Sequence, residues 1–221
     1  KKFLHEKFPD ISSEKIVVIY HGMDLNKFKY NNKQTNSLFT ILSIGRLTEK
    51  KGIHVLLKAC GLLMRRGFPF VCHIIYVRGD FERELFELYN SLELKDYVKF
   101  IPEMAQNELI QYYKNSDCFV LPCIVTSSGD RDGIPNVILE SLCMGLPVIT
   151  TPISGIPEVI QDRITGLLIE PHNVDELAAA ILNLYLDRDL RKKLAKAGRD
   201  FVHKEFEISS SIDRLLSTIY T

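Results

Sequence analysis

The chain carries no excess of either charge: 28 Lys and Arg stand against 28 Asp and Glu in 221 residues. Binding to a phosphate backbone normally leaves a basic footprint, so nucleic acid is excluded as the main partner. Long apolar runs are also absent. The first, residues 16–20, is far shorter than the ~20 residues of a spanning helix, and no signal peptide is visible. The five cysteines include no Cys-x-x-Cys pair and the six histidines are scattered, which excludes a zinc site. Cys72, Cys118 and Cys143 fall in apolar runs and read as reduced core thiols of a cytoplasmic protein. Cys123 lies in a loop and reads as a packing residue rather than a nucleophile. There is no internal repeat, no low-complexity segment and no initiator Met before Lys1, and the expectation is a piece of a longer protein.

What the sequence does have is alternation. Strand-like apolar runs at 15–20, 39–44, 71–77, 98–101, 118–121, 148–151 and 167–169 are separated by helical patterns. Those patterns lie near 53–66, 82–92, 106–114, 135–144, 174–186, 190–203 and 209–219. Continuous apolar strands between helices predict an α/β fold, a Rossmann-like parallel sheet with helices on both faces. The longest polar connections are 29–38, an Asn/Lys-rich stretch expected to be a mobile surface loop, and 123–133. The second is long for such a connection, and long loops tend to be functional.

Two strand–loop–helix units carry the chemistry. In the first, the strand ending at Ile44 runs into Gly45-Arg46-Leu47-Thr48-Glu49-Lys50-Lys51-Gly52. Taken alone, Arg46 and Lys51 are ordinary solvated charges. In the second, the strand ending at Leu121 leads through Gly129-Asp130-Arg131-Asp132-Gly133-Ile134-Pro135-Asn136-Val137 into a helix that carries Glu140. Pro135 suits the first helical position. A helix start offers free N–H groups and a dipole that favour an anion. Acids there also serve as mere dipole partners. Cations in one loop, with acids and an anion-favouring helix start in the other, point together to a diphosphate joined to hydroxyl-rich groups. Open α/β sheets hold such ligands at the carboxyl edge of the strands.

These segments resemble the C-terminal half of GT-B glycosyltransferases of family 4, the glycosyl transferases group 1. The matching pieces are Gly45-Arg46-Leu47 with Lys51-Gly52, Val98-Lys99-Phe100, Asp117 through Pro122, and Asp132 to Glu140 followed by Cys143-Met144-Gly145-Leu146-Pro147. Gly155-Ile156-Pro157-Glu158 and Thr165-Gly166-Leu167-Leu168 complete the set. The resemblance implies that 1–15 are a helical lead-in from a missing N-terminal half and that 16–221 are the nucleotide-sugar-binding domain. By the same resemblance, Arg46 and Lys51 grip the donor diphosphate and stabilise the leaving group, Asp132 contacts the transferred sugar, and Glu140 accepts the ribose hydroxyls. Gly45, Gly79, Met104, Gly133, Ile134, Asn136 and Val137 are further substrate-binding positions.

The chain departs from the family pattern in several places. Asp132 replaces the usual glutamate and is one methylene shorter, so its contact needs an inward loop or a water. Pro135 stands where glycine is common and can donate no N–H. Pro102 and Phe81 also replace glycines. The Asp-Gly-Ile-Pro-Asn version resembles enzymes that build capsule, exopolysaccharide or lipopolysaccharide. His21, with Gly22 and Asp24, reads as a structural turn. Leu215, Leu216, Ile219 and Tyr220 would, in the family, help the last helix pack toward the missing half.

The implied activity is retaining transfer of a hexosyl unit from a nucleoside diphosphate sugar to a glycan or lipid-linked acceptor held by the missing half. This piece alone would then be inactive. The expected cofactor set is empty and no metal is required: no Asp-x-Asp pair ends a strand, and Arg46 and Lys51 supply a cationic pocket. The expected location is cytoplasmic, at the inner face of the membrane, with peripheral membrane association of the full-length protein. Two alternatives stay open, a non-catalytic α/β nucleotide-binding module and a UDP-sugar epimerase of the same fold. A phosphorylase would need a pyridoxal-phosphate lysine context, which is not found.

Overall fold

The computed structural model of the chain describes residues 2–28 and 38–220. Six strands form one parallel sheet: β1 (Phe39–Arg46), β2 (Phe70–Val77), β3 (Val98–Pro102), β4 (Cys118–Leu121), β5 (Val148–Thr150) and β6 (Leu167–Leu168). Their order is β3-β2-β1-β4-β5-β6. β1 pairs with β2 along its whole length, from Phe39 opposite Phe70 to Arg46 opposite Val77. Every side chain from Phe39 to Ile44 is buried, as are all four of β4 and all three of β5. Strand side chains alternate between faces, so consecutive burial means that both faces of the sheet are covered.

The cover comes from α2 (Ile53–Arg65), α3 (Glu82–Ser91), α4 (Gln106–Lys114), α5 (Asn136–Cys143), α6 (Val174–Leu186) and α7 (Arg188–Glu205). The short α1 (Lys2–Lys7) precedes them and α8 (Ile208–Ile219) follows. α2 packs against α3 and α6, and α5 packs against α7. Asp187 ends α6 and caps α7, its Oδ1 accepting from the Leu190 N–H at 2.8 Å. Such a cap satisfies one of the helix's unpaired N–H groups and sharpens the corner between the two helices.

The alternating pattern is borne out by these elements, with three corrections. Residues 15–20 form no strand. Val17 and Val18 are 56% and 46% exposed there, and the segment is held instead by Tyr20 stacking on Phe206 at 4.7 Å. β-propensity without a neighbouring strand makes no ladder. The second correction is at α5, which starts at Asn136: Pro135 is extended at ψ 128° and serves as the N-cap. The third is that α7 runs from Arg188 to Glu205, longer than its apolar pattern, because polar residues continue the helix at both ends. The Asn/Lys-rich stretch lies outside the described residues over 29–37.

All five cysteines are buried, and among the described residues none is in a disulfide. Among the described residues, no helix is long and apolar enough to cross a membrane. Leu215, Leu216, Ile219 and Tyr220 on and just after α8 are exposed.

Candidate functional site

The strand order creates the crevice. Connections from β1 run toward β2 and β3, while the chain returns to β4 on the other side and continues outward to β6. The loops leaving β1 and β4 therefore diverge, and ligands of open α/β sheets bind at that switch point.

The two loops are fastened to each other. The Ile124 N–H donates to the Lys50 carbonyl at 2.9 Å. Gly52 sits at φ +68°, and a Cβ there would fall 1.8 Å from the Pro122 carbonyl oxygen. Only glycine fits both the left-handed backbone and the close approach. A second contact ties in the loop after β2: a Cβ on Gly79 would lie 2.2 Å from the Leu47 carbonyl oxygen, and Phe81 N–H donates to that same oxygen at 3.0 Å. Gly79 thus packs loop on loop. The backbone it admits is that of Leu47.

These contacts form a cavity of about 450 Å³ lined by Arg46, Lys50, Lys51, Asp80, Asp130 and Asp132 among others. Lys51 Nζ is 2.9 Å from Asp132 Oδ2, and the Lys51 stem lies along Gly45. Lys50 Nζ is 3.1 Å from Asp130 Oδ1 and 3.9 Å from Asp132 Oδ1. Hydrogen bonding to Asp130 holds the Lys50 ammonium above its ordinary pKa, so it is fully charged. Arg46 is exposed at the rim, and among the described residues it makes no ion pair.

The expectation of a simply cationic pocket needs correction. Three cations (Arg46, Lys50, Lys51) share the lining with four carboxylates (Glu49, Asp80, Asp130, Asp132). Lys51 is already engaged by the acid expected to serve the sugar. Lys50 was not among the residues expected from sequence. Its signal was there, as half of the Lys50-Lys51 doublet, but spacing alone did not tell which lysine turns inward.

The loop after β4 is internally ordered. Thr126 N–H donates to the Asp130 carbonyl at 3.0 Å, Asp130 N–H returns a bond to Thr126 Oγ1 at 3.0 Å, and Gly129 closes the turn at φ +82°. Asp132 follows, with the Cys123 thiol donating weakly to its Oδ2 at 3.9 Å. Burial, and then the charge of Asp132, push that thiol up to about 12. Cys123 is therefore a protonated packing group, inert as a nucleophile.

Beyond Asp132 the chain opens toward the start of α5. Gly133 has no neighbouring atoms where a Cβ would stand, Ile134 packs on Gly155, and Pro135 is buried. α5 has no side-chain cap. Among the described residues, nothing accepts from the N–H groups of Gly133, Ile134, Asn136 or Val137. The Asn136 side chain is held by His21, with Nε2 and Oδ1 2.9 Å apart, so the His21 turn reaches the helix start. Val137 and Met104 are half-buried against the core, and neither lines the cavity.

Glu140 stands one turn into α5, outside the cavity lining. Its Oε2 accepts a hydrogen bond from Tyr113 at 2.7 Å. Burial raises the Glu140 pKa, and the Tyr113 hydroxyl partly opposes it. The structure thus brings Arg46, Lys51 and Asp132 together, sets Gly45 and Gly79 beneath them, and leaves Glu140 and Met104 apart.

The family of glycosyl transferases group 1 matches residues 24–201. The amylovoran biosynthesis glycosyltransferase AmsK of Erwinia amylovora is 38% identical over 175 residues, covering 78% of this chain and 42% of that protein. A GDP-mannose-dependent alpha-(1-6)-phosphatidylinositol monomannoside mannosyltransferase of Mycobacterium tuberculosis is 32% identical, covering 74% of this chain and 42% of its own. Among solved structures, Anabaena HepE in complex with UDP superposes with a TM-score of 0.81 at 21% identity, covering 95% of this chain and 58% of that one. The chain spans about half the length of the curated relatives it matches, between 42% and 52% for the first three.

Proposed function

This chain belongs to the glycosyl transferases group 1, and on that footing we propose that it is the donor-binding domain of a retaining, GT-B-type hexosyltransferase. It holds a nucleoside diphosphate sugar, and the full-length protein transfers the hexosyl unit to a glycan or lipid-linked acceptor in capsule, exopolysaccharide or lipopolysaccharide synthesis. One observation carries this reading: the loops after β1 and β4 set Arg46, Lys50 and Lys51 around Asp132 at the sheet's switch point.

In this reading Arg46, Lys50 and Lys51 grip the diphosphate. A charged donor aimed at the oxygen where negative charge develops lowers the barrier to leaving-group departure. Asp132 releases Lys51 to the phosphate and turns toward the hydroxyls of the transferred sugar. The free N–H groups at the start of α5 add an anion-favouring field. Glu140, being acceptor-only when ionised, takes hydrogen bonds from ribose hydroxyls.

Donor binding proceeds without a divalent metal. In support, Asp130 and Asp132, the two acids of the Asp-Arg-Asp run, each already carry a lysine ammonium. An ion would have to displace both. We also infer a cytoplasmic setting at the inner membrane face, supported by five buried cysteines outside any disulfide and by a relative whose name gives it a phosphatidylinositol monomannoside as acceptor.

A thermal-shift screen against UDP, GDP, ADP and CMP, in EDTA and then in Mg²⁺, tests this. A ligand at a hundred times its dissociation constant stabilises by about 2.7 kcal/mol. One nucleoside diphosphate should stabilise the chain equally in both buffers. No shift with any nucleotide would overturn the donor-binding reading. A shift that needs Mg²⁺ would overturn only its metal independence.

A further inference from the structure

We infer that Tyr113 is a positioning residue for Glu140, clamping one carboxylate oxygen so that the other meets the ribose diol. The inference rests on the reading of Glu140 as the ribose acceptor. Tyr113, in the last turn of α4, is 1% exposed, yet its hydroxyl crosses to α5 and donates to Glu140 Oε2 at 2.7 Å. A phenylalanine would fill the same volume. A buried hydroxyl costs free energy unless it is paired, so a tyrosine here is explained by its partner.

The pairing has a geometric consequence. A glutamate has three side-chain torsions, and on a half-buried helix face it can lie along several directions. A charge-assisted bond from a rigid, fully packed ring selects one of them. Among the described residues no hydrogen bond is made to Oε1, which is left for a ligand. The neighbouring Ser141 hydroxyl does not compete for the carboxylate, because it donates to the Val137 carbonyl at 2.6 Å.

The same contact sets the charge state. Burial raises the Glu140 pKa and the Tyr113 hydroxyl lowers it. Beyond burial, Tyr113 from α4 is the side chain that shifts Glu140. Cys143, on the same helix, is pushed up to about 11 by burial, with Arg199 of α7 lowering it and Glu140 raising it, so it stays neutral. Losing the hydroxyl leaves burial unopposed and moves Glu140 protonation to higher pH.

The test is a double-variant cycle read by nucleotide affinity. Whichever of UDP and GDP binds this chain is titrated, with its 2′,3′-dideoxy counterpart, into wild type, Tyr113→Phe, Glu140→Gln and the double variant, across pH. Tyr113→Phe should weaken the ribonucleotide by about fivefold, the size of one net hydrogen bond, and spare the dideoxy form. The pH below which ribonucleotide affinity falls should move up, and no further loss should appear in the Glu140→Gln background.

Equal loss for both nucleotides, or additive loss in the double variant, would overturn the positioning role while leaving Glu140 as ribose acceptor. If Glu140→Gln itself spares the ribonucleotide, the parent reading and this inference fall together. Should Tyr113→Phe not fold, site-specific 3-fluorotyrosine at position 113 keeps the shape and makes a stronger donor. It should move the same midpoint to lower pH, and an unmoved midpoint overturns the inference.

Discussion

Lys51 Nζ lies 2.9 Å from Asp132 Oδ2, joining the loop after β1 to the loop after β4. Both side chains are mostly covered, at 14% and 17% exposure, so the pair is screened less than a surface bridge. The residue proposed to hold phosphate is thus held by the residue proposed to hold sugar. Donor binding exchanges one anion for another at the same ammonium.

That exchange makes Asp132→Asn informative. Removing the competing charge should raise affinity for a nucleoside diphosphate by about fivefold, the ~1 kcal/mol of an ion pair of this kind. Turnover by the full-length enzyme should fall. Calorimetric titration and a transfer assay read the two effects. Unchanged or weaker diphosphate binding would show that Asp132 does not restrain Lys51.

Arg46→Ala and Lys51→Ala each remove a charge-assisted contact, on the order of 1.5–3 kcal/mol. Nucleoside diphosphate affinity should drop tenfold or more, while the bare nucleoside binds as before. Lys50→Ala should cost less, because its partner Asp130 is 59% exposed and the pair sits in higher dielectric. Equal losses for nucleoside and diphosphate would mean that these side chains hold the loops rather than the ligand.

Gly52 and Gly133 make a matched pair of glycines. Gly52→Ala adds a Cβ at φ +68° against the Pro122 carbonyl, whereas Gly133→Ala meets nothing within 4 Å. The first should destabilise by more than about 2 kcal/mol, since strain and overlap add. The second should leave denaturant midpoints unchanged. Similar midpoints for both would remove the proposed fastening between the two loops.

Most of the architecture was legible in the sequence because its signals are local. Cys118–Leu121 as a four-residue apolar run, and the patterns over 106–114 and 174–186, coincide with β4, α4 and α6 to the residue. The apolar run at 15–20 forms no strand because a strand needs a partner, and local propensity carries no record of one. In the site, Arg46, Lys51 and Asp132 were legible from their positions after strands. The engagement of Lys51 by Asp132, the inward turn of Lys50 and the reach of Tyr113 to Glu140 were not. Each joins residues 27 to 81 positions apart, and tertiary packing alone determines it.

His54 sets an acid limit on stability. Its ring is largely buried with Nδ1 unpaired among the described residues, and burial lowers its pKa from 6.5 to about 4. A folded-state pKa below the unfolded one means that the unfolded chain binds the extra proton first. The stabilisation is complete above pH 6.5 and is lost as pH falls toward 4. His73, also lowered by burial, adds to the same trend. Urea unfolding of wild type and His54→Phe between pH 7 and 5 should show a shallower decline in the variant. Parallel curves would mean that the ring is as accessible to protons folded as unfolded.

Amide hydrogen exchange, with and without a saturating nucleoside diphosphate, most directly tests whether the donor occupies the crevice between the β1 and β4 loops. Fluctuating loops exchange through low-energy openings that a ligand suppresses. Protection should rise in residues 45–52 and 126–140 and stay unchanged in α3 and α8. Protection centred elsewhere, or none in these two segments at saturating ligand, would contradict the proposed site.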